Sequence, residues 1–196
     1  MKFADMILTV MLTQLSEAVL YLARSDANRI KFGDAGGCEV MVSVLRTHGT
    51  SNAAVAKKVC RAIRNLALNA TNEIKFGDAG GCEVVVSVLR THGTSNAAVA
   101  DEACGAITNL AFNAANRIKF GDAGGCEVMV SVLRTHGTSN AAVALYACWA
   151  IYNLSFNVEN KRRLVAADAR TVVASCAENS KKADALNRLK TSWWSW

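Results

Sequence analysis

Three kinds of residue in this sequence are candidates for chemistry: seven cysteines, three histidines and a recurring glycine-rich GDAGG turn. The cysteines fall in columns: Cys38, Cys82 and Cys126, then Cys60, Cys104 and Cys148, with Cys176 alone. No CxxC and no His/Cys ligand spacing occurs. They read as small apolar core residues held as thiols in a reducing, cytoplasmic compartment. His48, His92 and His136 share the same THG turn. Stacked units would hold them on the order of 10 Å apart, too far for one metal. Capping or solvated turn histidines are the expectation. GDAGG joins two helical segments and lacks the strand and lysine of a phosphate loop. No nucleophile is paired with a base. The expectation is no enzyme, no cofactor and no metal.

Composition narrows the classes further. The chain has 196 residues, 52% of them apolar, and no proline, which suits a sizeable core rather than a disordered tail. Its 22 Lys and Arg against 16 Asp and Glu leave +6, too mild to imply nucleic acid. No run of 18 apolar residues occurs, so no membrane span is expected. The apolar start carries Asp5 beside its hydrophobic run and aligns with a repeated helix, so it reads as structure rather than a leader.

The elements that position these residues come from an internal repeat. IKFGDAGGCEV begins at Ile30, Ile74 and Ile118, 44 residues apart. Residues 30–56, 74–100 and 118–144 differ at a single column, Met41, Val85 and Met129. A period of that size predicts an all-α solenoid of three-helix units. The first helix, NRIKFGDAGG, ends at glycines, and Asn28, Asn72, Asn116 and Asn160 are expected to cap its start. The second presents Val40, Val44 and Leu45 and stops at Gly49. The third runs from Ser51 to about Asn69 with the apolar stripe Val55, Val59, Ile63 and Leu66. Ile63, Ile107 and Ile151, with Leu66, Leu110 and Leu154, are the expected core. The units are 26–69, 70–113 and 114–157, between a lone cap helix at 1–25 and a degenerate cap at 158–196.

Three helices per unit, DAGG before the second, and AIRNLA, AITNLA or AIYNLS in the third resemble armadillo repeats. The resemblance covers nearly the whole chain and implies a right-handed α-solenoid. Such near-identity between neighbouring units is similar to consensus-type engineered armadillo proteins, with a recently duplicated natural gene as the alternative. The resemblance implies a binding scaffold whose third helices line a groove. In peptide-binding members a Trp and an Asn four residues later form a ladder that holds a peptide backbone. The Asn column is present here as Asn65, Asn109 and Asn153. The Trp column reads Arg61, Gly105, Trp149 and Trp193, so only Trp149 with Asn153 completes a pair.

The units differ almost wholly on one face of the third helix. Lys57, Arg61, Arg64 and Leu68 lie at i, i+4, i+7 and i+11. Their counterparts are Asp101, Gly105, Thr108 and Phe112, then Leu145, Trp149, Tyr152 and Phe156, and Lys58 beside them gives way to Glu102 and Tyr146. Leu189, Trp193 and Trp196 extend the same register into the last unit. Six aromatics, half exposed, would present roughly 450 Å². These residues read as a diversified binding surface, or as an enlarged core. The cap helix is apolar on most sides as well, from Met6 to Leu22. The expected partner is a protein, foremost another copy of the chain through the aromatic stripe. An extended peptide or a separate protein in the groove is the alternative.

Overall fold

The computed structural model of the chain describes residues 3–190, and Trp193 and Trp196 lie outside them. Helix α1 (Phe3–Leu22) stands alone. It is followed by α2 (Asp26–Asp34), α3 (Gly37–Val44, continued by a π-helical turn Leu45–Gly49) and α4 (Ala53–Leu66). The pattern recurs as α5 (Ala70–Asp78), α6 (Gly81–His92) and α7 (Ala97–Leu110). It recurs again as α8 (Ala114–Asp122), α9 (Gly125–His136) and α10 (Ala141–Leu154). Three shorter helices close the described chain: α11 (Val158–Ala166), α12 (Ala169–Ser175) and α13 (Lys182–Arg188). The result is an all-α solenoid. The third helices pack in one row, α1 on α4, α4 on α7, α7 on α10 and α10 on α13.

Ile63, Ile107 and Ile151, with Leu66, Leu110 and Leu154, are buried in one continuous core. All seven cysteines are free and buried beside them. Burial pushes the Cys38, Cys126 and Cys148 thiols up to about 12, which suppresses thiolate chemistry. Two expectations need correction. Val40 is exposed, because α3 has no earlier second helix to lie against; Val84, its counterpart one unit on, is buried. Leu189, placed above on the exposed stripe, is buried in the core.

A third correction concerns the asparagines. The N-caps are Asn69, Asn113 and Asn157, whose side chains accept from the backbone N–H of Asn72, Asn116 and Asn160. The latter three are not caps. They are buried, and their amides reach back across the unit boundary. Asn72 Nδ2 donates to Arg29 O at 2.9 Å and to Leu66 O at 3.1 Å. Asn116 Nδ2 donates to Glu73 O and Leu110 O, and Asn160 Nδ2 to Arg117 O. These bonds explain the first glycine of the GDAGG turn. A Cβ on Gly77 would lie 1.8 Å from Asn116 Oδ1. Gly80, at φ +83°, supplies the left-handed residue between α5 and α6. The turn therefore builds the array, and nothing in it cradles a ligand.

The histidines work in the same way. His92 Nε2 lies 3.0 Å from Gly49 O, and His136 Nε2 lies 2.9 Å from Gly93 O. At another repeated position Arg29 donates to Ala23 O and Arg117 to Ala111 O and Phe112 O. Glu73 stands between them in register and has no cation's role to play there. Burial pushes its carboxyl up to about 7, against the pull of a backbone bond to Asn113.

Two outcomes follow from this packing. Ile107→Ala should cost about 2–5 kcal/mol in chemical denaturation, as a large-to-small change in a closed core. Folding also takes up a proton at Glu73. Its contribution is full below the ordinary value of 4.5 and is lost as pH rises through about 7. Glu73→Gln should therefore flatten the melting temperature over that interval and stabilise the chain above it. An unchanged profile would show that the carboxyl is solvated.

Candidate functional site

The face of the third helices that varies between units is the candidate site, and its residues turn out to be matched to one another. On α4, Arg64 reaches across to α7 and α10. Its Nη1 lies 3.2 Å from Glu102 Oε2, and its Nη2 donates to the Tyr146 hydroxyl. The guanidinium lies 4.0 Å from the Tyr146 ring centroid. Arg61 Nε lies 3.6 Å from the other Glu102 oxygen. Gly105 makes this possible, since a Cβ there would lie 2.5 Å from Arg64 Cδ. Thr108 Oγ1 donates to Cys104 O and to Tyr146 O.

Burial raises the Glu102 carboxyl above its ordinary range, with Arg64 and Arg61 opposing the shift. Burial also raises Asp101, opposed by Arg64, Lys57 and Arg61, and Asp101 Oδ1 is buried without a hydrogen bond. Arg61, Arg64, Glu102 and Tyr146 thus form one network across three units, with Lys57 and Asp101 near it. Arg64 and Glu102 spend their charges on each other inside the chain.

The aromatic half is also engaged. Tyr152 and Phe156 meet edge to face at 5.1 Å. Arg188 lies 4.2 Å and Arg117 5.8 Å from the Phe156 centroid, and Lys181 Nζ lies 5.0 Å from the Trp149 ring. Leu145, Tyr146, Trp149 and Tyr152 are partly buried, while Leu68, Phe112 and Phe156 form an exposed row. The sequence reading placed Gly105 in a varying column without its role, and it missed Lys181 and Arg188. The last two sit in the degenerate unit, where the residues one period earlier, Gly137 and Ala144, are uncharged. It also left Cys176 unpartnered, whereas its sulfur lies 3.5 Å from that of Cys148.

The Asn column does not face a ligand freely. Asn109 Nδ2 donates to Arg64 O at 2.7 Å, and Asn153 Nδ2 to Thr108 O at 2.9 Å. Asn153 is buried; Asn65 is partly buried and makes no side-chain hydrogen bond among the described residues. Among the described residues no group of three His, Cys, Asp or Glu side chains gathers as a metal site. No helix among them is long and apolar enough to cross a membrane.

No protein-family model and no curated protein sequence matches the chain. Solved structures do. An engineered protein shares 27% identity at TM-score 0.81, over 93% of this chain and 76% of its own. A designed armadillo repeat protein aligns at TM-score 0.76 and 23% identity, over 91% of this chain and 75% of its own. The chain is an armadillo-type solenoid. A second designed armadillo repeat protein, solved with the peptide (KR)4, aligns at TM-score 0.75 and 24% identity, over 91% of this chain and 75% of its own.

In this armadillo array the ladder asparagines join unit to unit. Asn153→Ala would strand the Thr108 carbonyl in a buried place. It should cost about 1–3 kcal/mol of stability in urea denaturation, with no ligand present. A variant as stable as the parent would return Asn153 to the role of a ligand clamp.

Proposed function

We propose that the chain is an engineered, non-enzymatic armadillo scaffold for protein association, and that its partner is another copy of itself. One observation carries this reading. Met11, Leu15, Ala18 and Leu22 of α1 lie in register with Val55, Val59, Ala62 and Leu66 of α4. The α4 residues are all buried, and the α1 residues are all exposed. α4 packs against the second helix of its own unit and the π-helical turn that continues it; α1 has no such elements before it among the described residues. Met6, Ile7, Leu8 and Val10 are exposed beside them. Ile7, Leu8, Met11, Leu15 and Leu22, about half exposed on that side, present on the order of 400 Å² of apolar surface, within the range of the largest patch a monomer usually keeps. A cap is expected to be polar outside.

The second reading is an extended peptide or separate protein in the third-helix groove, favoured by the exposed row Leu68, Phe112 and Phe156. A Lys/Arg peptide like that bound by the designed relative fits poorly, because Arg61 and Arg64 already occupy the first unit's face. Seven free thiols suit a reducing compartment. Size-exclusion chromatography with light scattering on the whole chain tests the choice. A concentration-dependent oligomer in the micromolar range is expected. A monomer throughout that range would favour the second reading.

A further inference from the structure

We infer that the chain forms a closed two-fold dimer in which the outer face of α1 packs antiparallel against α1 of a second copy. This rests on the self-association proposed above and goes further by naming the surface, the partner and the symmetry. Leu8, Met11, Leu15, Ala18 and Leu22 are exposed and follow 3-4-3-4 spacing, the seam of paired helices. A second seam one residue further on, Leu12, Ser16, Val19 and Ala23, already packs on α4, so α1 has two apolar stripes and one neighbour.

The exposed seam is nearly symmetric about Leu15. Antiparallel pairing on a two-fold axis there sets Leu8 against Leu22, Leu15 against itself, and the large Met11 against the small Ala18. Large opposite small is the match a packed layer needs. The seam spans about 21 Å of helix, four turns. Two such seams would bury on the order of 800 Å² of apolar surface in total, the range of a weak, concentration-dependent interface.

Among the described residues the unlike end does not offer an equivalent match. The exposed groove between α12 and α13 is lined by Arg170, Thr171, Ala174, Leu186, Asn187 and Lys190, with one large apolar residue among polar and cationic ones. Head-to-tail stacking would seat the apolar α1 face on that surface and leave an open chain of copies. Like-to-like pairing covers both apolar faces at once and stops at two. The aromatic stripe is the weaker candidate for the contact, since Arg64, Lys181, Arg188 and Arg117 already lie over its rings.

Light scattering with circular dichroism tests the contact. Leu15→Glu places two carboxylates together at the axis and should give a monomer at concentrations where the parent is a dimer, with helical content kept. Trp149→Ala with Tyr152→Ala should leave the dimer intact. Leu15→Cys should form a covalent dimer under mild oxidation, and Val40→Cys should not. A parent that is monomeric throughout removes self-association itself. A parent oligomer that survives Leu15→Glu, dissociates on the stripe double substitution, or fails to cross-link through Leu15→Cys overturns the α1 contact and leaves self-association standing.

Discussion

Each third helix ends with carbonyl groups that its own turns do not satisfy, and the array is built around satisfying them. At the end of α7, Ile107 O accepts from Ala111 N, Asn109 O from Phe112 N, and Leu110 O from Asn113 N. Leu110 O also takes the Asn116 amide, and Thr108 O takes Asn153 from the next unit. The α4 end repeats the arrangement with Asn72 and Asn109. Two columns of asparagine therefore set how closely and in what rotation one unit sits on the next. The glycines at 33, 77 and 121 follow from this, because no side chain fits where the first asparagine column crosses. Hydrophobic burial supplies the cohesion, and these polar contacts select one stacking geometry from the many a smooth apolar face would allow.

That division explains what could be read in the sequence. The period, the helix order and the isoleucine and leucine columns were legible because they depend on residues within one unit and recur in register. The roles of the asparagines were not. Asn69 and Asn72 both precede an apolar run, and choosing the cap requires knowing where the preceding helix stops. Asn109 and Asn153 sit where the resemblance places a peptide clamp; their bond to a carbonyl 45 residues earlier depends on stacking, which no local pattern records. The Arg64, Glu102 and Tyr146 contacts span 38 and 82 residues and join positions that are variable for that very reason. What looked like three independent surfaces is partly one compensated substitution, with Gly105 the residue removed to make room.

The Arg64 network also shows why variation on this face need not mean exposure. Glu102 is buried, and its charge is tolerated only beside two guanidiniums. Breaking one partner would leave a desolvated carboxylate. Positions 61, 64, 102, 105 and 146 are therefore linked, and changing one to suit a ligand disturbs four others. A surface meant for modular recognition would hold its units separable, and the first two units here do not.

The two ends of the solenoid are finished differently. At the C-terminal end of the described residues several repeated contacts have substitutes. Asp168, at φ 63°, takes the left-handed place held elsewhere by Gly36, Gly80 and Gly124. Ala177 N donates to Gly137 O where a histidine does so in earlier units. Tyr152 O accepts from the Ser155 hydroxyl, and Ser155 stands where α4 and α7 are followed by Ala67 and Ala111. At the N-terminal end substitutes are missing among the described residues. His48 lines an open pocket with Leu8, Thr9 and Leu12 and meets no carbonyl like those bound by His92 and His136. Val40 faces solvent, and α1 keeps core residues at its surface. Polar substitutes close an end against water, whereas apolar core residues close only against another apolar face. Among the described residues the larger uncovered apolar face therefore lies on α1.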